Sequence, residues 1–494
     1  MNRFGIIDIG SNSVRLVVVD IINNKYFKIL HEIKEAVRLG KDIDKFQNLD
    51  SDRMKYANET IVTYKAICDA FAVDKIIAVA TEAVRRSANQ KQFLDMVVKS
   101  SGIKISVLSG KQEAYYDYIG AINSLDIRDC LLVDVGGSST ELILVKDRQL
   151  LQSVSIPYGS ISFTDEYKES PQAFANNIGS IFNTYSWLKQ AKDCPIIGIG
   201  GTFRNIGKID RKRKNYPLEL SNNYIIQNQD FGFILCAATS EKTTRMDKKL
   251  KGLSKDRADI FCGPVAAISE LINYCGTRNI VISGSGVREG LIYEQLLGEA
   301  TLVPDVLDYS LKCLVQSFSN PLSHCEKVYE LALSLYKQLN SFFPFDESLK
   351  KILKAGALLH DCGVSINFYN HHKHSFYIML NSRLNGLSHR EILLSAYVAA
   401  LHRKDEFKLD LFRYRSLLSK NDIKVAQKLG ILIKICENLD LRMNSCIRAV
   451  KCTQHNNSII IKLISDIDTS HEAKKAMKCQ NTFRKVFGKN LIVV

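Results

Sequence analysis

Two stretches decide the fold of this chain: FGIIDIGSNSVRLVVVD at residues 4–20 and LLVDVGGSSTELILVKD at residues 131–147. With Asp8 set over Asp134 they match at a constant offset of 126 residues, so that Gly10 falls on Gly136, Ser13 on Ser139 and Leu16 on Leu142. Each is an apolar run, an acidic residue, a turn of small residues and a second apolar run. That is the pattern of a strand, a tight turn and a returning strand. Glycine in such a turn permits positive φ and lets another molecule approach the backbone. Consecutive N–H groups, with Ser and Asn side chains added, make a concave anion site. An Asp at the end of the first strand suits Mg²⁺, directly or through water. Two matched copies predict two similar lobes facing each other across a cleft. A third glycine turn, GIGGT at 198–202, follows the apolar Ile196 and Ile197. It precedes a predicted helix start, which adds another backbone anion site.

The chain around these turns has 494 residues, enough for three or four domains at about 100–200 residues each. Hydrophobic residues at 46% and charged residues at 24% exclude wholesale disorder. Gly and Pro show no period, which excludes a collagen-like or Pro-rich repeat. The start, MNRFGIIDIGSNS, lacks the apolar run of a secretory signal. No apolar stretch approaches the ~18–20 residues needed to cross a bilayer. A soluble, cytoplasmic chain is expected, and its 13 scattered Cys, without a C-x-x-C pair, are expected to be reduced buried thiols.

The net charge is +15, and residues 401–494 alone carry +10 of it. A basic protein points to anionic partners, and no nucleic-acid motif accompanies the charge. Arg204, Lys208, Arg211, Lys212, Arg213 and Lys214 form a further basic cluster directly after the GIGGT turn. They read either as a guide for a polyanion or as a solvated loop.

From about residue 305 the texture changes. Apolar residues recur at helical spacing, as in 324–340 and 348–360, and the linker is placed near Thr301–Asp305, where Pro304 favours a break. This half holds His324, His360-Asp361, His374, His402 and Asp440. Imidazole plus carboxylate suits Mn²⁺, Fe²⁺ or similar ions. The run His371, His372, His374 reads alternatively as a polyanion-binding surface, and the whole set as ordinary core and surface histidines. Residues 446–494 form a small basic end, with a strand predicted over 458–464 and a strand, or a turn and a strand, over 485–494.

The ordered set DIGSNSVRL (8–16), ATEAVRRSAN (80–89), LSGKQEA (108–114), DVGGSSTEL (134–142), GIGGT (198–202) and SGVREGLIYE (285–294) resembles the exopolyphosphatase and guanosine pentaphosphate phosphohydrolase (Ppx/GppA) family. The resemblance implies an α/β fold of duplicated actin-like (ribonuclease H-like) lobes of the ATPase superfamily. An all-α HD-like domain and a small C-terminal α+β segment would follow. The expected division is 1–124, 125–303, 304–445 and 446–494.

The resemblance also implies roles. Glu113 would be the catalytic base and Arg85 a phosphate-binding guanidinium. Asp134 and Glu141, with Asp8 nearby, would position Mg²⁺ (or Mn²⁺). Gly10, Ser11, Asn12 and Ser13 on one side, and Gly136, Gly137, Ser138 and Ser139 on the other, would cradle phosphate oxygens, with Gly200, Gly201 and Thr202 contributing. Ser138 stands where many family members carry Gly, and Gln112 where Glu is frequent. His324, His360, Asp361, His374, His402 and Asp440 would mark an HD-like site for an additional divalent ion, although in long members this domain does not usually carry out the reaction. Long members are also expected to form homodimers with a canyon for polyphosphate.

The expected activity is release of terminal orthophosphate from inorganic polyphosphate. Hydrolysis of guanosine pentaphosphate is the alternative, since the same motifs serve both. Neither nucleic-acid binding nor a membrane span is expected. A small-molecule kinase on the same fold is disfavoured by Glu113 in its LSGKQEA context. A non-enzymatic sensor of guanosine penta- or tetraphosphate is disfavoured by the intact Asp134, Glu141 and Glu113.

Overall fold

In a computed structural model, all residues are described except 1–2, 42, 241–249, 299–300, 319 and 404–406. The chain forms two compact units, Met1–Pro304 and Asp305–Val494.

The first unit contains two sheets. Strands β1 (Arg3–Ile9), β2 (Val14–Ile22), β3 (Tyr26–Glu35), β4 (Lys75–Ala80) and β5 (Ile105–Val107) lie in the order β3-β2-β1-β4-β5. Strands β6 (Cys130–Val135), β7 (Thr140–Lys146), β8 (Gln149–Ile156), β9 (Ile196–Ile199), β10 (Tyr224–Gln227) and β11 (Asn279–Ile282) lie in the order β10-β11-β9-β6-β7-β8. Read from the β8 edge, the second sheet repeats the first and then adds the antiparallel edge strand β10. The repeat extends to detail. β2 shifts register at Val18/Val19 and β7 at Leu144/Val145, again 126 residues apart. A bulge bends its strand and increases local twist, so both sheets curl at the same place.

The inner strands β1, β2, β6 and β7 are mostly buried and apolar on both faces because helices cover them. In the first lobe the helix Ser51–Ala70, capped by Asp50 accepting from the Arg53 N–H at 3.0 Å, buries Met54, Ile61 and Tyr64 with Leu16, Val18 and Phe93. In the second, helices Pro171–Asn183 and Cys262–Cys275 pack Phe174, Ile178, Val265 and Leu271 over Leu131, Leu142 and Ile196.

Helix Gly110–Ile122 follows the first sheet and packs on helix Val287–Leu297. A Cβ on Gly120 would overlap the Gly286 carbonyl, and one on Gly290 the Tyr116 carbonyl. The backbones therefore touch, which no larger residue allows.

The second unit is mainly helical. Helices Leu322–Leu339, Leu349–Leu358, His389–Leu401 and Lys420–Leu439 bury Leu335, Leu353, Val398 and Leu432. Strands β12 (Ile447–His455), β13 (Ser458–Ser465) and β14 (Asn490–Val493) form a sheet in that order. The predicted strand over 458–464 is there. Residues 485–487 are not extended: they close the helix Gln480–Phe487, which stops at Gly488 with φ 68° before β14 begins. Phe483 and Phe487 lie one turn apart on its buried face, a spacing that a short apolar run conceals. None of the 13 Cys forms a disulfide, and most are buried. No helix among the described residues is long and apolar enough to cross a membrane.

Candidate active site

The two glycine turns are built alike. The Gly10 N–H donates to the Ser13 carbonyl at 3.1 Å, and the Gly136 N–H to the Ser139 carbonyl at 3.0 Å. The carbonyls of Ser11 and Asn12 accept from Gly40 and Arg38, and those of Gly136 and Gly137 from Ser160 and Ile161. Turn carbonyls are thus tied back into the fold. Among the described residues the N–H groups of Ser11, Asn12, Gly137 and Ser138 have no backbone acceptor. The turns also face each other: a Cβ on Gly137 would lie 2.7 Å from the Ser11 Cβ. Asn12 Nδ2 and Ser138 Oγ are buried without a hydrogen-bond partner. Unpaired buried donors on two facing turns suit an anion bridging them. Ser138 does not have a positive φ, so the replacement of Gly there introduces no backbone strain.

The third turn ends β9 and opens helix Gly200–Arg213. Gly200 has φ 81°, and a Cβ there would overlap Asp134 Oδ1. Only glycine meets both demands. Gly201 lines the same cleft, while Thr202 is buried beneath it, its hydroxyl 3.4 Å from an Arg257 guanidinium nitrogen.

Acidic residues enter from three directions. Asp8 closes β1 opposite Arg15, and Asp134 on β6 lies directly across from Glu141 on β7. Glu141 is buried and accepts from Ser155 Oγ at 2.7 Å. Glu113 sits at the start of helix Gly110–Ile122, whose capping box uses Ser109 and Gln112. Gln112 Oε1 accepts from the Ser109 N–H at 2.9 Å, so Gln112 secures the helix end. Arg85 donates to Glu113 Oε2 at 3.2 Å and is also paired with Glu82. In this structure Arg85 holds Glu113, and it is not among the residues lining the cleft.

Burial dominates the electrostatics. It raises Asp8, and with Glu141 nearby it raises Glu113 well above the usual carboxylate range. Burial pushes Asp134 up to about 6, and burial with Asp134 alongside pushes Glu141 up to about 8. Four arginines face these acids across the cleft: Arg15, Arg204, Arg257 and Arg288. Burial and neighbouring Arg15 pull Arg204 down to about 10. Burial also pulls Arg288 down, but Glu289, Glu32 and Asp8 hold it above its ordinary value.

A divalent cation fits this donor set. Asp117, one turn beyond Glu113 and fully buried, has both carboxylate oxygens without a hydrogen-bond partner. Burial and Asp134 raise its pKa well above normal. Among the described residues, no three acids of the cleft bring ligand atoms within 4.8 Å of one another. Mg²⁺ commonly takes one or two carboxylates and completes its shell with water and phosphate oxygens, which matches a sparse oxygen set.

With this geometry in place, comparison with known proteins is decisive. The Ppx/GppA phosphatase family model matches residues 17–299, and the model for Ppx/GppA phosphatase domain III matches residues 306–478.

The chain belongs to the Ppx/GppA phosphatase family.

As a Ppx/GppA phosphatase it is a phosphoanhydride hydrolase built on duplicated actin-like lobes. It is 27% identical over 459 residues to the guanosine-5'-triphosphate,3'-diphosphate pyrophosphatase of Pseudoalteromonas translucida, covering 89% of this chain and 88% of that one. A crystal structure of the Aquifex aeolicus family member is 25% identical, with TM-score 0.51, covering 60% of this chain and 98% of that one. An exopolyphosphatase structure from Cytophaga hutchinsonii shares the fold at 24% identity and TM-score 0.52, covering 61% of this chain and 100% of that one.

The structure brings Asp8, Gly10–Ser13, Glu113, Asp134, Gly136, Gly137, Ser139, Gly200 and Gly201 to one cleft, with Glu141 and Ser138 buried behind it. Sequence reasoning missed Asp117, Arg15, Arg257, Arg288 and the Arg85 partner Glu82. Asp117 had a signal, since Glu113 and Asp117 are spaced i, i+4 on one helix. Of the basic cluster, Arg204 alone lines the cleft. Arg211 is buried against the Leu220 carbonyl, and Arg213 and Lys214 are paired with Asp210 and Asp230.

In the helical unit, His324, His360, Asp361 and His402 cluster, and Asp440 binds His324 Nδ1 at 2.8 Å. His371 completes the cluster. His374, expected there, is half-buried, with its Cβ against Gly363.

Proposed function

We propose that this phosphatase releases terminal orthophosphate from inorganic polyphosphate by hydrolysis in the cleft between its two lobes. The observation that carries the reading is the lining itself. Two facing glycine turns, four arginines and buried carboxylates surround the cavity, and none of its described lining residues is aromatic. Such a surface reads phosphate oxygens by charge and backbone donors. A nucleobase would ordinarily be held against an aromatic side chain.

Terminal phosphate enters between the two turns, where the N–H groups of Ser11, Asn12, Gly137 and Ser138, with Asn12 Nδ2 and Ser138 Oγ, bind its oxygens. Glu113 orients a water molecule for in-line attack and takes one of its protons. The new P–O bond forms as the bond to the bridging oxygen breaks, and the electron pair leaves on the shortened chain. A carboxyl whose pKa burial has raised is a stronger base, once ionised, than an exposed one, and the neighbouring Arg85 favours the ionised form. Arg204, Arg257 and Arg288 offset charge building on the transferred group and the leaving phosphate. Mg²⁺ held by Asp134, with Glu141, Asp8 and Asp117 close by, supplies Lewis-acid neutralisation of phosphate oxygens when bound. In this reading residues 1–124 and 125–303 are the lobes, 304–445 and 446–494 the helical and terminal parts, and the working form is a cytoplasmic homodimer. The basic residues after 400 would attract the chain of phosphates.

The second reading is guanosine pentaphosphate 5'-phosphohydrolase. It is favoured by the name and the near full-length coverage of the Pseudoalteromonas translucida relative. Long-chain polyphosphate, guanosine pentaphosphate, and ATP with glycerol, each with Mg²⁺, separate the readings through released orthophosphate and phosphorylated acceptor. Hydrolysis of the nucleotide alone overturns the first reading in favour of the second.

A further inference from the structure

The helical unit contains a second group of converging side chains that the cleft chemistry does not use. Four imidazole rings run in a row: His324 to His360 at 5.6 Å between centroids, His360 to His402 at 5.1 Å, and His402 to His371 at 5.1 Å. All four side chains are buried, and each comes from a different part of the bundle. His324 lies in helix Leu322–Leu339, His360 just after helix Leu349–Leu358, His371 at the start of helix His371–Asn381, and His402 directly after helix His389–Leu401.

The protons on these rings can be assigned from their partners. His360 Nδ1 lies 2.7 Å from the Ala357 carbonyl, and His371 Nδ1 lies 2.9 Å from the Phe368 carbonyl. His402 Nδ1 contacts the Ala399 carbonyl. A carbonyl oxygen only accepts, so each Nδ1 carries the hydrogen. In the neutral rings every Nε2 is then a lone-pair acceptor.

These acceptors point at one another. His371 Nε2 lies 3.0 Å from His402 Nε2. Asp361 Oδ1 lies 3.1 Å from the first and 3.4 Å from the second, and Asp361 Oδ2 lies 3.5 Å from His360 Nε2. His360 Nε2 and Asp361 Oδ1 are buried without any hydrogen-bond donor. Four buried acceptors converging with no donor repel one another and forgo hydration. A cation in their midst removes both penalties. The Nδ1–H to backbone carbonyl bond on three of these rings is also the arrangement that orients metal-ligating histidines. Asp440, accepting at His324 Nδ1 and held by the Ser445 N–H at 2.9 Å, orients the fourth.

We propose that the helical unit holds a transition-metal centre bridged by the Asp361 carboxylate. His371, His402 and one Asp361 oxygen bind one ion, and His324, His360 and the other oxygen provide a second position. Each ligand set has atoms within 4.8 Å of one another. Each is two imidazoles and a carboxylate, a set that takes Fe²⁺, Mn²⁺ or Zn²⁺ and leaves coordination positions open. Mg²⁺, which prefers oxygen, is a poor match. This centre is independent of the substrate assigned to the cleft.

The test uses the full chain without a polyhistidine tag. The protein is stripped with chelator, given Mn²⁺, Fe²⁺ under anaerobic conditions, Zn²⁺ or Mg²⁺ singly, passed through gel filtration, and its metal content measured. The expected result is at least about one equivalent of Fe²⁺, Mn²⁺ or Zn²⁺ retained per chain and no Mg²⁺. Asp361→Asn and His371→Asn should each weaken retention tenfold or more, because each removes a donor, while Asp134→Asn in the cleft should leave it unchanged. Addition of Co²⁺ to the stripped wild-type protein needs no variant. It should give the visible absorption of an N/O-ligated ion and raise the melting temperature. No retained transition metal and a silent Co²⁺ spectrum would overturn the proposal. The cluster would then be a buried imidazolium paired with Asp361. Retention unchanged in both Asp361→Asn and His371→Asn would overturn it as well.

Discussion

The cleft and the histidine cluster are both buried convergences of polar side chains, yet they are built for different cations. The cleft offers carboxylate oxygens faced by arginines and backbone N–H groups. The helical unit offers imidazole nitrogens around a single carboxylate. Oxygen donors with positive surroundings suit a hard ion shared with a phosphate substrate. Nitrogen donors locked by second hydrogen bonds suit a resident ion of borderline softness. The cleft acids are spread around a cavity, with a shell left for substrate to fill. The histidine donors lie closer together, with ligand atoms within 4.8 Å.

The sharpest way to break this contrast is Glu113→Gln. Orthophosphate release at saturating Mg²⁺ should fall by about two to four orders of magnitude, with KM little changed. Near-normal turnover would move the chemistry out of the cleft and leave the histidine cluster as the place to look.

Asp117→Asn should have the next largest effect. Activity at limiting Mg²⁺ should fall by about tenfold to a hundredfold and recover as Mg²⁺ is raised, as for a group that supports an ion. A titration in Mg²⁺ measures this. A loss that Mg²⁺ does not restore would assign Asp117 to the fold alone.

Arg204→Gln should raise KM by about tenfold, since a buried charged donor contributes about 1.5–3 kcal/mol. Lys212→Ala, whose exposed partner is Glu219 at 3.6 Å, should change KM less than about twofold. Equal effects of the two would show that the cluster after the third turn steers substrate as a whole.

The smallest effect concerns pH and stability. In the unfolded chain Asp134 and Glu141 lose their protons near pH 4, whereas in the fold burial holds Asp134 at about 6 and Glu141 at about 8. Between those values the folded state binds more protons, so this contribution to stability declines as pH rises from about 4 to 8. Without Mg²⁺, Glu141→Gln should flatten the fall in melting temperature between about pH 6 and 8 by a few degrees. Added Mg²⁺ should restore wild type at pH 8. A variant with the wild-type slope would remove Glu141 from the electrostatics of the cleft.

Legibility in the sequence followed the range of the interactions. Both hairpins and their offset were readable, because strand, turn and returning strand are contiguous. The offset even recurs in the bulges of β2 and β7. Glu113, Asp134 and Glu141 were marked by motif, and Asp117 by its spacing from Glu113. Arg257 lies outside every motif, and Arg15 and Arg288, although inside DIGSNSVRL and SGVREGLIYE, were not singled out, since all three line the cleft only after the two sheets and the helix before Gly298 come together. Lys212, Arg213 and Lys214 could be read either as a guide for a polyanion or as a solvated loop because their partners Glu219 and Asp230 are placed by the fold. The helix Gln480–Phe487 was hidden because a short apolar run has no decisive period.

The sequence by itself determined the duplicated lobes, the three glycine turns, the family and the change to a helical second half. These depend on local periodicity and on φ preferences that each segment carries wherever it is placed. Only the tertiary structure decided which charges share the cleft and that Arg85 holds Glu113. It also decided that His371, and not His374, faces Asp361. Three histidines within four positions at the start of one helix look equivalent in sequence. The direction in which that helix presents them is set by what packs against it.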